Sequence, residues 1–176
     1  MGRGQRLIIK APIYLATPGF DRSKMRRFAK TCPKDIIVLF QFKANFDSPA
    51  AVIALAQFCK AHFAARLAFE FRNKALFFQA VYSEFAKLNL PIVSLPKSFI
   101  TDKYGLPTKV PQTGRQIAYF RFHGPESSYK GTYRYPRLKT WARNNPKFAD
   151  GVYILFNNTE YAYEDATYLK KILGAG

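Results

Sequence analysis

One pattern constrains this chain above all others. An apolar run meets a polar or turn residue, an amphipathic stretch follows, and the pattern recurs about every thirty residues, as in repeated β-α units. Six runs stand out: Leu7-Ile8-Ile9, Ile36 to Phe40, Leu67 to Arg72, Pro91 to Leu95, Ile117 to His123 and Val152 to Phe156. Most are continuously apolar rather than alternating, which predicts strands buried on both faces of a helix-covered parallel sheet. Helices are predicted over Phe20 to Lys30, Ala50 to Phe63, Lys74 to Leu88, Tyr133 to Asn144 and Tyr163 to Leu173. The second opens on Ser48-Pro49, an N-cap followed by a first-turn proline. Pro136 leaves the start of the fourth open. Lys97 to Gly114 holds prolines and glycines without a clean period and is expected to be a long loop. A closed (β/α) barrel takes eight units, an open doubly wound sheet no more than these. The length suits a single domain over residues 1–176.

Polar residues fall at comparable places along these units. Lys10, Gln41, Glu70, Arg72, Arg121, His123 and Asn157 all stand at or near the C-terminal ends of predicted strands. In a parallel α/β fold those ends form the rim where sites are built. Residues two apart in a strand share a face, so Arg121 and His123 point the same way, with Tyr119 behind them. The stretch reads either as a site-bearing strand or as an edge strand with a solvated Arg-His pair. Glu70 and Arg72 also share a face. They form a structural ion pair, or they act as a general base or orienting carboxylate beside an anion clamp. His123 is either a proton carrier near neutral pH or a hydrogen-bonded core residue. Tyr129, Tyr133 and Tyr135, with Arg134, either stack on bases or sugars or pack over a loop. The sequence has no Walker loop, nucleophile elbow or dinucleotide-binding glycine fingerprint. No metal site and no cofactor are expected, because His62 falls on a predicted helix and the rim is poor in carboxylates.

The formal charge of +17 favours anionic partners, either a small anionic molecule or nucleic acid. The basic residues lie in an early group (Arg22, Lys24, Arg26, Arg27, Lys30) and a late one (Lys130, Arg134, Arg137, Lys139, Arg143). No run approaches the roughly 20 apolar residues of a membrane span. The start, Met1 to Arg6, has no apolar core of signal-peptide length. A cytoplasmic protein without a membrane partner is expected. Cys32 and Cys59 lack partners in metal-ligand spacing and are expected to be reduced packing residues, with a disulfide as the alternative reading.

The order of motifs resembles the YecE family, also called domain of unknown function seventy-two. Tyr119-Phe120-Arg121-Phe122-His123-Gly124 is similar to its Arg-Phe-His-Gly strand. Tyr129 and Tyr133, then Leu138 and Trp141, follow as its Tyr-x-x-x-Tyr loop and Leu-x-x-Trp helix do, and Phe156-Asn157-Asn158 ends its aromatic strand. Glu70-Phe71-Arg72, Leu39-Phe40-Gln41 with Phe46, and Lys10-Ala11-Pro12 resemble its earlier strand ends. The resemblance implies an incomplete TIM-barrel-like parallel β/α fold of about six strands, starting at the third unit of a barrel of ~250 residues. Two strand edges are then left unpaired, so a homo-oligomer or weak solubility is expected. Asn73, Ala16-Thr17 and Asp165 depart from the family pattern, which has an asparagine at the last position, and Ile92 to Leu95 lacks its acidic end.

Together these readings lead to an enzyme-like rim acting on an anionic, phosphorylated or nucleic-acid-derived substrate. His123 and Glu70 are the expected proton carriers. Lys10, Gln41, Arg72, Arg121, Tyr129, Tyr133 and Asn157 are expected to bind the substrate. The competing expectations are a non-catalytic nucleic-acid-binding module and a truncated family member without activity.

Overall fold

The computed structural model describes residues 7–115, 117–127, 129–145 and 151–174. The N-terminal stretch Met1 to Arg6 lies outside the described residues. The chain divides into two compact units, one made of residues 7–93 with Pro111–Arg115, the other of Ser94–Val110 with the described residues from Ile117 onward.

The first unit is built on a parallel sheet of β1 (Ile8–Lys10), β2 (Ile37–Gln41) and β3 (Arg66–Glu70), in that order. Nearly all of β2 and β3 is buried, which explains their continuous apolar runs. Helices α1 (Arg22–Thr31), α2 (Pro49–His62) and α3 (Gln79–Lys87) pack in succession, α1 on α2 and α2 on α3. Asp21 caps α1 by accepting the Lys24 N–H, and Ser48 caps α2 by accepting that of Ala51, with Pro49 in the first turn as expected. Phe40 and Phe69, paired across β2 and β3, stack at 5.3 Å, and Phe85 of α3 meets the Phe69 ring edge-on at 5.1 Å. Both thiols are free and buried, and burial pushes each up from its ordinary pKa.

The second unit pairs β4 (Ala118–Phe122) with β5 (Val152–Phe156), also in parallel. One face of β4 carries Ala118, Phe120 and Phe122. These join Leu138 of α5 (Arg134–Asn144) and Leu169 of α6 (Ala162–Ile172) in a core that Trp141, Ile154 and Phe156 extend. The helices pack on each other, and α6 packs on β5. Pro136 is tolerated because it falls in the first turn of α5, where backbone N–H groups have no helical acceptor.

Three expectations need correction. The described residues hold five named strands rather than six, in two parallel sheets, and neither sheet is a closed barrel. The run Pro91 to Leu95 makes only isolated bridges, Ile92 to Phe69 in the first unit and Ser94 to Phe120 in the second. Pro91 has no N–H to give, and the Ile92 N–H goes to the Thr113 hydroxyl at 3.1 Å. The expected helix from Lys74 is interrupted. Asn73 accepts the Ala75 N–H at 2.9 Å and starts a separate 3-10 turn, Lys74–Leu76, before α3 begins. The expected loop after Lys97 contains a helix, α4 (Phe99–Tyr104), fixed by a reciprocal capping box between Ser98 and Thr101 and ended by Gly105 in the left-handed region at φ 58°. Among the described residues, no helix is long and apolar enough to cross a membrane.

The Phe69 ring is wholly buried against Phe40, Phe42 and Phe85. Phe69→Ala is expected to cost about 3–5 kcal/mol in urea unfolding followed by far-UV circular dichroism. A loss under about 1 kcal/mol would contradict this packing.

Candidate functional site

Parallel register decides which side chains share a face. In the first unit Gln41 pairs with Glu70, and Lys10 pairs with Leu39, two residues before Gln41. Lys10, Gln41 and Glu70 therefore lie on one face at the C-terminal ends of their strands, opposite the Phe40–Phe69 face. Lys10 is exposed, Gln41 is half-buried and Glu70 is wholly buried. Arg72 lies just beyond β3 and is nearly buried. Its Nε and Nη2 both approach Glu70 Oε1 at 2.5 Å. A buried carboxylate survives in an apolar sheet only with such compensation. The pair holds the Arg72 guanidinium in place against Glu70.

In the second unit Tyr119, Arg121 and His123 lie on the face of β4 opposite Phe120 and Phe122. Tyr153 and Leu155 pair beside Tyr119 and Arg121, and Asn157 follows β5. Arg121 Nε donates to Asn157 Oδ1 at 3.3 Å. Both residues stay half-buried, so the pair retains contact with solvent. His123 is wholly buried, and the exposed Tyr129 ring meets it edge-on at 5.5 Å. Burial changes one expectation: His123 contributes packing, so its removal cannot leave the surroundings untouched.

The loop after β4 returns to the strand ends by backbone bonds. Tyr129 N–H donates to the His123 carbonyl at 2.9 Å, and Asn157 N–H to that of Phe122 at 2.7 Å. Phe99 N–H, at the start of α4, donates to the Gly124 carbonyl at 3.1 Å. Gly124 sits at φ 86°, where a Cβ would overlap the Lys130 backbone, so only glycine fits this turn. Of the four non-glycine residues at positive φ among the described residues, Tyr129, Arg134 and Thr159 fall in or next to the loops that follow β4 and β5. Strain of this kind persists where surrounding bonds over-determine it. The Thr159 hydroxyl, for instance, donates to the Tyr129 carbonyl at 2.9 Å.

Asp165, expected only as a departure from the family's asparagine and not as a site residue, is the anchor of this loop. Its carboxylate is wholly buried in the first turn of α6. It accepts from the Thr132 hydroxyl at 2.8 Å, the Tyr133 N–H at 3.0 Å and the Asn158 side-chain amide at 2.6 Å. Asn158 also donates to the Gly131 carbonyl at 2.9 Å. One acidic group thus joins the tyrosine loop, the end of β5 and the last helix. The available signal was the second asparagine of Phe156-Asn157-Asn158, followed by an acid seven residues on. Tyr133 packs edge-on against Phe122 at 4.8 Å, and burial pushes its phenol pKa up against the smaller opposing effect of the Gly124 and His123 amides. Its hydroxyl nevertheless lacks hydrogen-bond geometry to any partner among the described residues. Tyr133 therefore belongs to the core-facing side, unlike Tyr129. Among the described residues, no group of three or more His, Cys, Asp or Glu side chains could hold a metal ion.

Asp165→Ala strands two buried donors, the Tyr133 N–H and the Asn158 amide, at about 1–3 kcal/mol each. Asp165→Asn keeps one oxygen for those donors, and its NH2 can donate to Thr132 Oγ1. The alanine variant is expected to lose at least about 2 kcal/mol and the asparagine variant under about 1 kcal/mol. Urea unfolding read by Trp141 fluorescence checks this, and equal losses would show that charge, not hydrogen bonding, is the anchor.

Comparison with known proteins agrees with this geometry. The family described as protein of unknown function DUF72 matches residues 20–176. No curated protein matches the chain. Among solved structures, a DUF72 family protein from Thermotoga maritima is 21% identical with a TM-score of 0.72, over 96% of this chain and 74% of that one. A DUF72 family protein from Enterococcus faecalis is 14% identical with a TM-score of 0.67, over 96% of this chain and 95% of that one. At these identities the likeness is one of fold. The family match spans most of the sequence, and the chain belongs to the DUF72, or YecE, family, whose function is unknown.

Proposed function

We propose that the protein is an enzyme acting on an anionic substrate at the C-terminal ends of β4 and β5. The observation that supports this best is the Arg121–Asn157 pair. It is half-buried, hydrogen-bonded and on the same face as His123. Arg121 holds the anion through its guanidinium, as such forks do for phosphate and carboxylate. Asn157 orients the substrate, His123 carries the proton, and Tyr129 covers the site. Lys10, Gln41 and the Glu70–Arg72 pair form the corresponding strand-end cluster of the first unit. There Arg72 and Lys10 supply positive charge, and Glu70 acts as the orienting carboxylate.

A panel of phosphate monoesters, phosphodiesters and carboxylate esters, screened for turnover, tests the proposal. Arg121→Lys keeps the charge but loses the fork, and it is expected to lower kcat/KM by at least about tenfold. His123→Gln fills similar space without carrying a proton, and it is expected to lower kcat about 10²–10⁴-fold with the fold retained by circular dichroism. Turnover indifferent to both changes, or absent across the panel, would overturn the reading.

One observation favours a second reading, a nucleic-acid-binding module. Arg22 and Arg26 of α1 both lie over the Phe58 ring, at 5.7 and 5.5 Å, and His62 stacks on the same ring at 4.1 Å between ring centres. Neither arginine has a carboxylate partner among the described residues. Like charges at this helical spacing repel, which a phosphate backbone would relieve. For this reading, affinity for a DNA or RNA duplex falls steeply between 50 and 200 mM salt, about 10³-fold for roughly six phosphate contacts, and is weakened by Arg22→Ala with Arg26→Ala, not by His123→Gln. Salt-independent binding, or none at low salt, would reject it.

A further inference from the structure

The second unit has a recess away from the strand-end residues Arg121, His123 and Asn157. A cavity of about 570 Å³ lies on the other side of Phe122, between the segment around α4 and one face of α5. Its size is within the range of small-molecule sites. Phe122, Tyr133 and Trp141 supply aromatic surface, and Lys97, Lys109 and Arg137 supply positive charge against the single carboxylate of Asp102. The three cations are exposed, and none has a carboxylate partner among the described residues. The α5 contribution recurs at helical spacing, from Tyr133 through Arg137 and Trp141 to Asn144, so one face of the helix lines the wall from end to end. The opposite wall is held in place by the Ser98–Thr101 capping box and by the Phe99–Gly124 backbone bond. Tyr133 adds a buried phenol without hydrogen-bond geometry to any partner among the described residues.

We propose that this cavity binds a small aromatic anion of the size and chemistry of a nucleoside monophosphate. The aromatic side chains suit a planar ring, as in base stacking on proteins. Lys97, Lys109 and Arg137 suit a phosphate, with charge-assisted bonds that neutral groups do not match. Asp102 is misplaced for an anion but suits a ligand hydroxyl such as those of ribose, and Asn144 can either donate or accept. The site is separate from Arg121, His123 and Asn157, none of which lines it.

Trp141 is the only tryptophan in the sequence, so its emission reports occupancy directly. Titration of the full chain uses three probes: adenosine monophosphate, adenosine and inorganic phosphate. The expected result is a saturable change with adenosine monophosphate and at least about tenfold weaker responses to the other two, because each lacks one half of the recognition. Lys97→Ala and Arg137→Ala are each expected to weaken the nucleotide about tenfold, with unchanged circular dichroism. Arg121→Lys is expected to leave the titration unchanged. The inference is overturned by the absence of a saturable response, by phosphate binding as tightly as the nucleotide, or by indifference to Lys97→Ala and Arg137→Ala. A response lost in Arg121→Lys also overturns it, by moving the nucleotide to the strand ends. Failure of this titration leaves the proposed enzyme site standing, since that site is read by turnover and by Arg121.

Discussion

The second unit depends on a buried carboxylate that has no cation beside it among the described residues. Asp165 is held by a hydroxyl, a backbone amide and a side-chain amide. Burying a charge is tolerable only when its lone pairs are well satisfied, so these three donors must keep their places. Two of them belong to the loop that follows β4, and the third belongs to the end of β5. A carboxylate is a better hub here than a neutral acceptor of the same size would be in water-free surroundings, because charged acceptors bind donors more strongly. The geometry of His123, Tyr129 and Asn157 follows from that hub by short backbone bonds.

The first unit solves the same problem differently. Its buried carboxylate, Glu70, is compensated by a full charge, that of Arg72. Glu70 stands at the C-terminal end of β3, and Asp165, in the first turn of α6, holds the segments that follow β4 and β5. The opposite faces of the same strands are filled with phenylalanine rings, stacked across β2 and β3 and again between Phe122 and Phe156 at 4.6 Å. Aromatic packing on one face supplies the rigidity that holds the polar groups of the other in place.

Much of this was legible in the sequence. Continuous apolar runs marked β2, β3 and β4 because strands buried on both faces leave no other pattern, and β5 carries the same run although its residues are half-buried or exposed. Ser48-Pro49 marked the start of α2 to within a residue, and the two-residue period put Arg121 and His123 on one face. What failed to show was decided by side chain to backbone bonds, which carry no periodicity. Asn73 breaks the helix expected from Lys74. Ser98 and Thr101 make a helix of six residues out of an expected loop. The Thr113 hydroxyl takes the Ile92 N–H from across 21 positions in sequence. Asp165 was visible as an acid in a first helical turn, a common place for one, and as a departure from the asparagine of the family pattern, but neither signal shows that it is buried. Its burial is a property of contacts with residues 132, 133 and 158, and no local pattern encodes them. The burial of His123 is non-local in the same way.

Amide hydrogen exchange in the native state, compared between the wild-type protein and Asp165→Ala, tests most directly whether this hub holds the strand-end site together. The expected result is loss of protection at Tyr133, whose N–H donates to Asp165, and at Tyr129 and Asn157, whose N–H groups donate to the carbonyls of His123 and Phe122, while the amides of β2, such as Leu39, exchange as before. Unchanged protection at those three positions, or an equal loss at β2, would contradict it.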